Sequence, residues 1–95
     1  MLEKIKNQST DDLALAIASI HTPEEAYKFL SDICTISEIT EMSKRLTAAT
    51  MLREGCTYNE IAEQTRLSTA TITRVNRALR YGEGGYGMVL DRMGK

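Results

Sequence analysis

Apolar residues recur along this chain at intervals of three and four, and no stretch alternates long enough to make a strand, so the pattern predicts an all-α protein. Residues 13–20, LALAIASI, are apolar on nearly every side. They predict a helix over 12–20, capped by Asp11, that other protein must cover. Thr22, Pro23 and Glu25 then carry a capping box with proline at the first helical position, opening a helix over 24–34 with the stripe Ala26, Phe29, Leu30 and Ile33. Thr35 and Glu38 repeat the box. The helix they open runs to Glu54, turns Ile39, Met42, Leu46, Ala49 and Leu52 toward a core, and stops at Gly55. Farther on, Met88, Val89, Leu90 and Met93 predict a last short helix packed on a dimer core. Residues 1–10 show no apolar face and are expected to form a flexible arm, leaving 11–95 as a single helical domain.

The stretch over 58–80, YNEIAEQTRLSTATITRVNRALR, has the spacing of a helix-turn-helix. Ile61, Ala62 and Thr65 share one side of a short first helix. Leu67 is the apolar plug between the two helices, and Ser68 is placed to cap the second. In that second helix Ile72, Val75 and Leu79 face inward, which leaves Thr69, Ala70, Thr73, Arg74, Arg77 and Arg80 outward. Small side chains at a helix start let it approach base edges in the major groove, and the arginines behind them can reach phosphate or guanine. Ser68, Thr69, Ala70, Thr73, Arg74, Arg77 and Arg80 are therefore the candidate DNA-binding residues. Arg66 stands in the turn, where a left-handed backbone would favour glycine.

Charge sharpens this picture. Residues 66–81 hold Arg66, Arg74, Arg77 and Arg80 and no acid, in a chain whose net charge is −1. Residues 1–41 hold eight acids against three lysines, and residues 42–95 nine basic groups against five acids, so the pI near 5.8 hides a basic half. Cys34 and Cys56 have neither disulfide-framework nor metal-ligand spacing and are expected as buried thiols. His21 has no companion ligands, no serine or cysteine sits beside a base in a catalytic motif, and neither an enzyme nor a metal site is expected. The glycine-rich run over 81–87 follows no strand and precedes no P-loop lysine, so it is a turn, with Tyr81 and Tyr86 as its anchors. The Ala16/Ala18 pattern belongs to an apolar run of eight residues headed by two aspartates, too short and too acidic for a signal peptide. A cytoplasmic protein without a membrane span is expected.

The strings EMSKRLTAATMLREGCTYNEIAEQT and STATITRVNRALRYGEGGYGMVLDRM, within residues 30–93, resemble the Trp repressor superfamily, and within it the TrpR-like proteins of the YerC/YecD type. The resemblance implies an intertwined homodimer whose N-terminal helices exchange between subunits and whose recognition helices lie one DNA turn apart. It implies a sequence-specific transcriptional regulator, a repressor, that binds double-stranded DNA. It also implies a ligand site, because Arg45 and Arg74 match the two arginines that flank the corepressor, and Thr35 and Thr71 match too. Ala78 departs from the family's serine, which leaves a ligand's ammonium without that acceptor, so tryptophan is not expected; a small-molecule corepressor stays the alternative to Arg45 pairing with a carboxylate and Arg74 contacting phosphate. The alternative is a small-molecule sensor or protein-interaction module on the same fold with little DNA affinity, to which Arg66 and the acidic N-terminal half point.

Overall fold

Local hydrogen bonds between side chains and backbone decide where most of the helices begin. The computed structural model describes residues 2–95, which form seven α-helices: α1 Leu2–Ile5, α2 Gln8–Ala18, α3 Pro23–Ile33, α4 Ile36–Arg53, α5 Tyr58–Thr65, α6 Thr69–Tyr81 and α7 Gly85–Arg92. No strand occurs among the described residues. The chain divides into two compact units, one reaching to Ile39 and the other comprising Thr40–Lys95.

In the first unit the expected boundaries move. Residues 1–10 contain α1 and the start of α2; Met1 itself lies outside the described residues. The cap of α2 is Asn7 rather than Asp11. The Thr10 N–H donates to Asn7 Oδ1 and the Asn7 N–H to Thr10 Oγ1, each at 2.9 Å, so a reciprocal box starts the helix four residues before residue 12. At α3, Thr22 accepts from the Glu25 N–H at 3.1 Å as expected, but the Glu25 carboxylate reaches back one residue farther, to the His21 N–H at 2.9 Å. The Thr35–Glu38 box closes in both directions, at 2.8 and 3.1 Å. None of α1, α2 or α3 contains a buried residue, and Leu13, Leu15, Ile17, Tyr27 and Ile33 are all exposed. Cys34 is half-buried, not the buried thiol expected.

The second unit has a closed core. Ala48, Ala49 and Leu52 of α4, Ile61 of α5, the linking Leu67, Ile72 and Val75 of α6, and Leu90 of α7 form one buried cluster. Full burial of Ile61, Ile72 and Leu90 stabilises by about 1.5–3 kcal/mol apiece. The expected stripe on α4 was right for Ala49 and Leu52, while Met42 is exposed and Ala48 takes a core place instead. The helix ends at Gly55, φ +86°, where the Cys56 N–H donates to Met51 O and the Gly55 N–H to Leu52 O at 3.0 and 3.1 Å, the paired bonds of a Schellman stop. Cys56, just beyond, is half-buried. Burial pushes its thiol pKa up, and the carboxylates of Glu60 and Glu54 add to the rise.

After α6 the chain breaks at Gly82, where an added Cβ would stand 2.4 Å from the backbone oxygen of Ala78, closer than any side chain tolerates. Of the two expected anchors of this turn, Tyr86 packs against the core and Tyr81 is 87% exposed. Helix α7 is tied to α4 by Arg53, whose Nη2 lies 2.7 Å from Asp91 Oδ1. That partly exposed pair contributes at most about 1 kcal/mol. No helix among the described residues is long and apolar enough to cross a membrane.

Candidate nucleic-acid interface

The turn between α5 and α6 fixes how α6 is presented. Helix α5 opens with a further capping box: the Thr57 N–H donates to Glu60 Oε1 at 2.8 Å, and the Glu60 N–H to Thr57 Oγ1 at 3.2 Å. Hydrogen bonding from the Thr57 backbone N–H, and then from its side chain, holds the Glu60 carboxyl below its ordinary pKa, as Thr35 does for Glu38. Ile61 and Thr65 are buried, and Ala62 is half-buried. Thr65 carries more than packing. Its hydroxyl donates to Ile61 O at 2.7 Å and accepts the Leu67 N–H at 3.2 Å, so the buried turn has no unpaired polar side-chain atom. Arg66 has φ +64° and ψ +17°, the left-handed conformation that the sequence placed there, and its N–H closes α5 on Ala62 O at 2.8 Å.

Leu67 then plugs the inter-helix gap at 6% exposure, and Ser68 caps α6. Ser68 Oγ accepts the Thr71 N–H at 3.1 Å and donates to Thr71 Oγ1 at 3.0 Å. With Ile72 and Val75 buried and Leu79 against the core, the opposite side of α6 is turned out. Ser68, Thr69, Ala70, Arg74, Arg77 and Arg80 are exposed, and Thr73 is half-buried at the edge of the same face. The four arginines of the acid-free stretch are thus all exposed, and no acid stands in the first turn of α6. Among the described residues the side chains of Arg66, Arg74 and Arg77 have no hydrogen bond or ion pair, and that of Arg80 has one, at Nε to Asn76 Oδ1, 3.2 Å long. Such a surface offers planar, charged donors behind small polar side chains at a helix start.

Of the ligand-site candidates, Arg45, Thr71 and Arg74 lie in the second unit. Arg45 lines an open groove of about 530 Å³ with Met42, Leu46, Ala78, Glu83 and Tyr86, whereas Arg74 and Thr71 do not line it. The Thr71 hydroxyl is occupied by the Ser68 cap. Thr35 belongs to the first unit, where its N–H and hydroxyl are both used in the start of α4. Glu83 places a carboxylate in the same groove as Ala78.

Four residues take roles here that the pattern of apolar positions does not assign: Thr57, Glu60, Thr65 and Asn76. Thr57 and Glu60 have the threonine-to-glutamate spacing recognised at 22–25 and 35–38 and were legible by the same rule. Asn76 was legible through its four-residue spacing from Arg80. The hydroxyl of Thr65 was not, because its partners depend on the sharpness of the turn.

The chain matches the model of the Trp repressor protein family over residues 8–94. It is 47% identical over 92 residues to the uncharacterized protein YerC of Bacillus subtilis (strain 168), covering 97% of this chain and 88% of that one. A TrpR-like protein from Eubacterium eligens ATCC 27750, known as a crystal structure, superposes with a TM-score of 0.90 at 51% identity, covering 97% of this chain and 95% of the other. A Trp repressor candidate from Staphylococcus aureus superposes at 0.91 with 42% identity, over 99% and 94% of the two chains.

Proposed function

The chain belongs to the Trp repressor family, and on that premise we propose that it is a homodimeric, sequence-specific DNA-binding regulator of transcription, a repressor. Each subunit sets one α6 into successive major grooves of a cytoplasmic DNA duplex. The observation that carries this reading is the outer face of α6, where Arg74, Arg77 and Arg80 are exposed and no acid lies beside the exposed Thr69 and Ala70. Thr69, Ala70 and Thr73 read base edges; Arg77 and Arg80 hold phosphates, with Ser68 and Arg74 at the margins of the contact.

The dimer is proposed from burial. Helices α1, α2 and α3 have no buried residue, although α2 is apolar on most sides, and a second subunit exchanging these helices would cover them. Tryptophan is not the proposed effector, because Ala78 offers no hydroxyl to a ligand's ammonium.

Selection of bound sequences from a pool of random duplexes, at a stated salt concentration, tests the function. A site with two related halves about one helical turn apart is expected. Binding with no enriched sequence would remove the specific-regulator reading, and no binding at low salt would remove DNA altogether.

A further inference from the structure

Asparagine is a poor residue for the middle of an exposed helix, since its short amide competes with the backbone for hydrogen bonds, and alanine there stabilises more. Asn76 sits at such a position in α6, half-buried, with its Oδ1 3.2 Å from the Nε of Arg80 one turn later. Arg80 is the one arginine of the acid-free face that is tethered among the described residues. The tether takes a single one of the five guanidinium N–H donors. Both terminal nitrogens keep their four donors, as a planar fork whose direction the Nε bond now restricts. A long side chain already held in its bound direction loses less freedom when it meets a ligand.

We propose that Asn76 is a positioning residue for nucleic-acid binding: it holds the Arg80 guanidinium by Nε and presents the free fork to a backbone phosphate. The assignment rests on the DNA-binding reading above. Asn76 itself touches no phosphate, and its effect passes wholly through Arg80. Arg74 and Arg77, untethered, must be ordered by the DNA.

A double-mutant cycle on the full chain tests it, with affinities for a mixed-sequence duplex at low salt for the wild type, Asn76→Ala, Arg80→Ala and the double variant. Asn76→Ala should weaken binding about threefold, the cost of freeing one long side chain, and should have no further effect once Arg80 is alanine. Its melting temperature should be unchanged or higher, since alanine is the better helix former. A merely structural role would give the opposite signature, with lower melting temperature and equal weakening in both backgrounds, and would overturn the proposal. Normal binding by Asn76→Ala alongside weakened binding by Arg80→Ala would overturn it too, while leaving DNA binding intact. If the wild type binds no duplex, the function and the proposal fall together. The Arg80 Nε–H resonance of the free protein, assigned by its loss in Arg80→Ala, should move and exchange faster with water in Asn76→Ala; an unmoved resonance would show that the tether is absent in solution.

Discussion

Arg66 is the residue at which this chain departs most plainly from what its backbone prefers. Its φ of +64° is the one left-handed conformation outside glycine among the described residues. The side chain is exposed and has no hydrogen bond or ion pair among them to offset the strain. Arg66→Gly should therefore raise stability by about 0.5–1 kcal/mol, read as a shift in the denaturant midpoint at unchanged slope. An unchanged or lowered midpoint would mean that the arginine is held by something its surroundings do not reveal. The same variant removes one positive charge from the proposed interface, so a gain in stability should come with a loss of DNA affinity. Along α6 the roles divide. Arg77→Ala should weaken all duplexes alike and lower the salt slope by about one, whereas Thr73→Val should cost about 1–3 kcal/mol on the selected site alone. Equal behaviour of the two variants on selected and unselected duplexes would show that the reading face is misassigned.

At the scale of elements, what the sequence disclosed follows the range of the forces involved. Thr22, Thr35 and Ser68 are legible as caps because each accepts from an N–H three residues on, within one turn of chain. Leu67, Ile72 and Val75 were placed inward because helical periodicity is equally local. Ala48 and Met42 exchanged roles because the core face of α4 is decided by where α5, α6 and α7 lie, which periodicity on one helix does not contain. Tyr81 stays outside for a related reason: Gly82 breaks the helix immediately after it, and the chain turns Tyr86 rather than Tyr81 to the core. The caps also make the helices sensitive to acid. Thr35 and Thr57 hold Glu38 and Glu60 below their ordinary pKa in the folded protein, so the unfolded chain takes up those protons first. The stabilisation is present above the unfolded glutamate value of about 4.3 and is lost as pH falls through the lower folded values. Glu60→Gln keeps an acceptor for the Thr57 N–H and removes the titration, so its stability should depend less on pH in that window than the wild type's. An identical pH profile would mean that the box does not persist in solution.

For the molecule as a whole, the division of burial sets the prediction. Among the described residues every buried one lies from Ala48 to Leu90, and the helices before residue 36 contribute none. Light scattering should give about twice the 10.6 kDa chain mass. Leu15→Asp, at a position 70% exposed in the single chain, should leave the α4–α7 core intact and shift the mass toward that of one chain. A well-folded monomer for the wild type, or a dimer indifferent to Leu15→Asp, would exclude the exchanged arrangement. The same division separates two clocks in the making of a working protein. The core of α4 to α7 draws all its residues from one chain and can close at a rate that dilution does not alter. The preceding helices, on the dimer reading, can only settle when two chains meet, so their half-time doubles when the concentration is halved. Newly made chains would thus possess a formed recognition helix before they possess a partner, and the delay before they grip DNA in pairs would be set by encounter rather than by folding.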